Sequence, residues 1–512
     1  MKATRKNPLS YAIGAILAGM AVVPMTASAA AVNVTTAGGG FVVNNDGADA
    51  LAYPIYSTVN GVTSAFSLTN TSDRSIAVKV RFREQQRSMD VWDAIVFLSP
   101  EDKWDFTVSA SADPNIPQVN GVGGDTTCTT VPSFPSLFRD TPFNAAGKAD
   151  GRWTVGHVEV IGMMDLENAF LPDAPFNIPL NDLVEGRECD ALRTIFTNPQ
   201  EVALINFGAQ DGNRTAGEVD NVLIGRYVIG IDGGGVEAGD VPVALANTFS
   251  VALPFAQSAS ASLAACRTAA NPNVASPCIS TYAWDRFQED HPHLGDIFNS
   301  AYQNIDAATA AGRLQGDWSS NPANFVGTDW IISFFSKYVY TNFVGGAWLD
   351  ILPVNKTSLT VAAATPLAGL TNPFNTAATA AGVAAACLGL DMWGYDADEN
   401  YGQGGVSPNP QRQICHEVNV LGLAADAADA RPSLIQQNSG VFQRQVFEFP
   451  ELADLGATRG WADLALLWPA NAAANPAIAA RSAAVAAGLF MTRSEPSNPV
   501  ANNASLVPLA HR

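Results

Sequence analysis

The chain has 512 residues, a formal net charge of -20 and a sequence pI near 4.5. So acidic a surface repels the phosphates of nucleic acid and anionic lipid, whose binding is led by Lys and Arg, and it leaves cations, cationic surfaces and neutral polymers as partners. With 47% hydrophobic and only 15% charged residues the chain is not of the disordered kind. Its length suits two to four domains of roughly 100 to 200 residues each.

Lys2, Arg5 and Lys6 precede an apolar run from Tyr11 to Val23, and the stretch closes on Ala27-Ser28-Ala29. This is the layout of a secretory signal over residues 1–30. The apolar run falls short of the roughly 20 residues that span a bilayer, so no transmembrane anchor is expected after cleavage. The expected destination is the cell surface or the extracellular medium, with the periplasm as the other compartment that such a leader allows.

The clearest pattern runs from Ser64 to Ala110. Ile76, Val78, Val80 and Phe82 alternate with Ala77, Lys79, Arg81 and Arg83, which predicts a half-buried strand with the apolar set inside and the charges in solvent. Ala65–Thr69 alternates likewise, and Asn70-Thr71-Ser72-Asp73 between the two runs predicts a hairpin turn. Trp92–Leu98 reads as a third strand; Trp104, Phe106 and Val108 mark a fourth after the turn Ser99-Pro100-Glu101-Asp102. Further on, Val155–Ile161 places Val158 and Val160 opposite His157 and Glu159, and Val222–Ile231 is again rich in β formers. The tract Ile231–Asp240, glycine-rich and acidic, suggests a domain division near residue 236. Beyond it, Trp330–Phe335 and Val418–Leu421 predict strands of a second sheet, Thr360–Ala386 a long surface insertion, and Asn471–Ala487 either helix or loop. The expected fold is all-β: two β-sandwich-like, Ig-like domains over 31–235 and 236–512, with Ala-rich insertions in the second. Trp92, Trp104 and Trp153 are expected in sandwich core, and an outer-membrane barrel is disfavoured for want of its repeated ten-residue alternation.

Six cysteines, Cys128, Cys189, Cys266, Cys278, Cys387 and Cys415, follow the leader. An even count behind an export signal predicts disulfides, and nearest-neighbour pairing gives 128 with 189, 266 with 278 and 387 with 415.

Phe66–Asp73 leading into Val78–Glu84, the Phe97-Leu98-Ser99-Pro100 corner, Thr328-Asp329-Trp330 and Cys415–Val420 resemble landmarks of a poorly characterised group of secreted, surface-associated proteins of Gram-negative bacteria. The landmarks are scattered over both halves. The resemblance implies a β-rich exported surface protein and transfers no catalytic residue.

Chemistry-bearing clusters are few. His291 and His293, two apart on an extended segment, could join Glu289 or Asp296 in an N,N,O set for zinc, although a His-Pro-His turn is also an ordinary polar loop. Asp396, Asp398 and Asn400 open like a calcium loop, but the glycine comes one place late and Ser407 stands where the bidentate Glu belongs. No cofactor is expected, and calcium at the Asp396–Asn400 turn is the likelier ion if any is bound. No G-x-S-x-G elbow occurs; His157 and His416 remain as bases, and Asp90 with Asp93 or Asp102 with Asp105 as carboxylate pairs. The sequence therefore leads to a non-enzymatic exported structural or interaction protein, self-assembling or binding a surface polymer. A secreted hydrolase of a polysaccharide or ester polymer is the alternative.

Overall fold

The computed structural model describes residues 31–33, 41–42, 47–86, 90–138, 151–173, 176–198, 201–202, 204–208, 217–231, 236–246, 312–321, 323, 326–335, 343–344, 347–348, 387–407, 413–440, 442–467, 486–493 and 503–511. The expected leader, Cys266, Cys278, His291, His293, the insertion 360–386 and most of the stretch 471–487 lie outside the described residues.

The first half builds β1 (Ala50–Ser57), β2 (Val62–Asn70), β3 (Ile76–Glu84), β4 (Asp90–Leu98), β5 (Lys103–Ala110), β6 (Pro117–Gly121), β7 (Val155–Asp165), β8 (Leu223–Ile231), β9 (Val236–Asp240) and β10 (Val243–Ala246). Sheet I has eight strands in the order Phe41–Val42, Ala31–Asn33, β10, β1, β7, β3, β4, Cys128–Thr129. Sheet II has six, in the order Ser136–Leu137, β6, β5, β2, β8, β9. Their inner faces share one core in which Ile76, Val78, Val80 and Phe82 of sheet I meet Phe66, Trp104 and Phe106 of sheet II, all buried as their alternation predicts. Trp92 and Trp153 are buried in the same core.

The expected hairpin is not formed. β2 pairs with β5 and β8 in sheet II, while β3 pairs with β4 and β7 in sheet I. The segment between them is an arch that carries the chain from one sheet to the other, and Asn70 pins it by donating from Nδ2 to the carbonyls of Arg74 and Ser99 at 2.6 and 2.9 Å. Alternation dictates which face of a strand is apolar; it does not say whether the next apolar face lies beside it or opposite it. Here the faces lie opposite, and Phe66 and Phe82 meet edge to face at 5.8 Å across the core. The first sandwich also runs past the expected division near 236, since β9 pairs with β8 and β10 with β1.

The second half builds β11 (Arg313–Ser319), β12 (Val326–Ser333), β13 (Leu388–Asp396), β14 (Tyr401–Gln403), β15 (Val418–Ala424), β16 (Gln445–Glu448), β17 (Arg459–Leu467), β18 (Ala486–Arg493) and β19 (Asn503–Pro508). Sheet III runs β14, β13, β17, β11, Ala510–His511; sheet IV runs Gly405–Ser407, β16, β15, β12, β18, β19. Between them lies a second core with Leu314, Trp318, Trp330, Ile332, Leu390, Met392, Leu421 and Leu464. The chain is thus predominantly β, with short helices α1 (Leu180–Glu185) and α2 (Cys189–Thr197) among the few helical segments of the described residues.

What covers the outer face of sheet I decides the fate of its charges. At one end, Leu180 and Val184 of α1 and Leu192, Ile195 and Phe196 of α2 pack on Ala77, Ile95, Phe97 and Ile161. At the other end β12 and β18 lie against β1, and β15 against β7, so the outer face of sheet IV closes over it. Ser333 Oγ donates to the carbonyl of Pro54, the Val418 amide to that of Gln85 at 3.0 Å, and Gln436 Nε2 to Gln85 Oε1 at 2.7 Å. Lys79, Arg81 and Arg83 are therefore buried, at 1%, 1% and 0% exposure, where the sequence places them in solvent. A period of two reports two faces of unlike polarity; a cover supplied from segments about a hundred and more than two hundred positions away leaves no mark on it.

Candidate functional site

The buried charges pair among themselves. On sheet I the register sets Glu159 of β7, Arg81 of β3 and Asp93 of β4 in one row across three strands, acid, base, acid. Lys79 Nζ donates to Asp93, and Arg83 Nε reaches Glu159 Oε2 at 2.5 Å. His157 Nε2 stands 3.5 Å from the other oxygen of Glu159. Burial pushes His157 below its usual range, although Glu159 pulls the other way. For Glu159 burial works upward, but Arg83 and His157 together outweigh it and hold the carboxyl below its usual value. At neutral pH the set is a neutral imidazole beside a Glu–Arg ion pair in a sealed joint between the two sandwiches. His157, Glu159 and Arg83 are each at most 1% exposed.

His416 packs its ring 5.1 Å from Phe442, and its amide donates to Asn419 Oδ1 at 3.1 Å. The Asp396–Asn400 segment closes the hairpin between β13 and β14. Asp396 Oδ1 accepts from the amides of Asp398 and Asn400 at 2.9 and 2.8 Å, and Oδ2 accepts from the Asn400 side chain at 2.8 Å. The Asn400 amide above all, with those two N–H groups, holds the carboxyl below its usual range. Asp396 is thereby a turn former, its oxygens engaged by its own loop. Among the described residues no group of three or more His, Cys, Asp or Glu is placed to hold a metal ion.

Cys128 is bonded to Cys189 and Cys387 to Cys415, with Cα separations of 5.0 and 4.1 Å. The first ties the start of α2 to the edge of sheet I. Beside it lies a cleft of about 270 Å³ lined by residues that include Phe97, Asp102, Thr127, Val184, Glu185 and Arg187. Asp102 there is committed to its corner, accepting from the Ser99 amide at 3.3 Å and the Lys103 amide at 2.8 Å.

The outer face of sheet III is different in kind. β13 reads Leu-Gly-Leu-Asp-Met-Trp-Gly-Tyr-Asp, and burial alternates along it so that Leu388, Leu390 and Met392 enter the core while Asp391, Trp393 and Tyr395 face out. Pairing brings Tyr401 of β14 and Trp461 of β17 to either side of Tyr395. The Tyr395 and Trp461 rings stack at 3.9 Å with 3° between their planes; Tyr401 lies 6.3 Å from Tyr395 and 5.9 Å from Trp393. Tyr401 is 64% exposed and Trp461 37%. The adjoining rows are polar and fixed. Gln403 Nε2 donates to Asp391 Oδ1 at 2.9 Å, and Asp463 takes both Arg313 (Nε 2.9 Å, NH2 2.7 Å) and Gln315 (2.9 Å). Four rings and a hydrogen-bonded polar fringe thus lie together on one face of sheet III. The signal was present in the sequence: on β13 the aromatics share a phase with Asp391, the reverse of Trp104, which alternates with Asp105.

Comparison of the chain with family models, with curated proteins and with solved structures finds no match.

Proposed function

We propose that the protein is a non-enzymatic, exported interaction protein of the cell surface or extracellular medium, which works by holding a polymer. The observation that carries this reading is the division of its side chains. Groups suited to acid–base work, His157, Glu159, Arg81 and Arg83, are sealed in the joint, whereas the exposed sheet III face carries rings and mutually bonded polar groups. Disulfides at Cys128–Cys189 and Cys387–Cys415 suit an oxidising compartment. No described helix is long and apolar enough to cross a membrane.

The test is to express the full chain in a Gram-negative host, fractionate the cells, and incubate purified protein with polysaccharide and polyester substrates. The expected result is cleavage of residues 1–30, recovery outside the cytoplasm and no release of reducing sugar or acid. Retention in the cytoplasm with all cysteines reduced would refute export. Sustained turnover of any polymer, abolished by His157→Gln or His416→Gln, would establish the hydrolase instead.

A further inference from the structure

We infer that the outer face of sheet III is a binding site for a neutral polysaccharide, with Trp461 and Tyr401 stacking on sugar rings and Arg313, Gln315 and Gln403 engaging hydroxyls. This rests on the interaction reading above and names its ligand.

The rings come first. A pyranose with equatorial hydroxyls has an apolar face of C–H bonds, weakly positive, which settles on the negative face of an aromatic ring. Tyr395 covers one face of the Trp461 indole at 3.9 Å; on the other side the register partner of Trp461 is Asp317 of β11, which has no ring. That second face is the one a sugar can take, and the stack behind it fixes the indole before the ligand arrives, so little side-chain entropy is lost on binding. Tyr401, on the far flank of Tyr395, offers a second ring across the sheet.

The fringe supplies directional contacts. Arg313 uses two N–H groups on Asp463, and its side chain remains 52% exposed, which leaves guanidinium donors facing water. Asp463 in turn holds Gln315, and Asp391 holds Gln403, so amides and guanidinium are set in place one row from the rings. Vicinal hydroxyls, each both donor and acceptor, match such groups.

Charge selects among occupants. Asp317, Asp391 and Asp463 lie on this face and Asp398 and Glu399 in the adjoining turn, against Arg313 and Arg459. The excess of acid repels nucleic acid and anionic glycans. It also opposes a second copy of the chain, since a two-fold contact would set this acidic face against itself. A neutral glycan pays neither penalty.

The experiment uses the full chain in affinity electrophoresis and calorimetry. The probes are mixed-linkage β-glucan, xylan and galactomannan, with polygalacturonate and DNA as anionic comparisons and sedimentation velocity for self-association. Variants are Trp461→Ala and Tyr401→Ala; Leu137→Ala, exposed on the other sandwich, is the control. Tyr401 is exposed enough to be removed without unfolding the sheet, so its variant stands if Trp461→Ala fails to fold. The expected result is retardation by at least one neutral probe, unchanged in about 0.5 M salt, which screens charge–charge attraction. Each ring variant should weaken it by about tenfold, equivalent to about 1.4 kcal/mol, and Leu137→Ala should leave it intact. Retardation by none of the neutral probes, equal retardation of wild type and Tyr401→Ala, or binding to the anionic polymers alone overturns the proposal. So does self-association that Tyr401→Ala abolishes. Those outcomes leave the exported interaction reading standing, whereas polymer turnover removes that reading whether or not the rings bind.

Discussion

Arg83 and Lys103 are both cations paired to a carboxylate, yet their surroundings give the pairs different weight. Arg83 and Glu159 are buried at 0% and 1%, so removing the cation strands a carboxylate with no water to solvate it. Arg83→Met is expected to cost about 3–5 kcal/mol, the usual penalty for breaking a buried pair from one side. Lys103 is 40% exposed beside Asp105, and Lys103→Ala should cost less than about 1 kcal/mol. Urea unfolding of both variants at pH 7 checks the contrast; equal losses would mean that the joint is wetter than its burial implies. The imidazole beside that pair adds a pH dependence. His157 titrates near 6.5 when unfolded and lower when folded, so below that pH the unfolded chain binds a proton that the native one refuses. The contribution is present above pH 6.5 and is lost as pH falls. Glu159, lowered from 4.5, adds a second loss of the same sign further into acid. Plotting stability against pH for wild type minus His157→Gln should therefore give a curve that declines on acidification below pH 6.5. A flat difference would show that His157 is protonated alike in both states.

β17 is the element on which the sheet III face depends, and one glycine lets it sit there. A Cβ on Gly460 would stand 1.7 Å from the carbonyl oxygen of Tyr395, which is backbone and cannot swing aside. Gly460→Ala must part β13 from β17 at the point where Tyr395 and Trp461 stack. The expected outcome is a folded protein destabilised by about 1–3 kcal/mol, as for other overpacked sites, with the near-ultraviolet circular dichroism of the stacked pair reduced. An unchanged aromatic spectrum would show that the strands accommodate the methyl group elsewhere. The strands themselves were largely legible beforehand: β3, β7, β8, β12 and β15 all fall on stretches with period-two or β-branched patterning. Their partners were not. The arch between β2 and β3 looks in sequence like a hairpin turn, because Asn, Thr, Ser and Asp stabilise either by bonding local backbone. The aromatic face escaped for a related reason. Trp393, Tyr395, Tyr401 and Trp461 come from three segments spread over residues 393 to 461, and only strand pairing makes them neighbours.

At the scale of the whole molecule sheet I packs on sheet II with one face and against sheet IV with the other, sheet III backs sheet IV, and the edge strand β9 of sheet II runs beside the edge strand β19 of sheet IV; apolar cores lie between I and II and between III and IV, and the joint between the halves holds the buried charges. The two faces that meet in the joint are unequal. Sheet I presents Lys79, Arg81, Arg83, Asp93 and Glu159, which water solvates well once uncovered. Sheet IV presents Ile331, Val418 and Val420, which belong to the core cluster of the first half and lose about 25 cal/mol for each Å² of apolar surface returned to water. Separation should thus be asymmetric. A chain ending at Ala246 is expected to remain soluble and to keep the near-ultraviolet spectrum of its buried Trp92, Trp104 and Trp153. A chain beginning at residue 312 should aggregate or expose a dye-binding apolar face, because sheet IV has lost its cover. In the intact protein the second sandwich should then melt no later than the first on heating, since it has no stable state in which the first has already melted. A calorimetric transition of the second sandwich above that of the first, or a monomeric and well-ordered fragment from residue 312 onward, would show that the joint is a contact between independent domains.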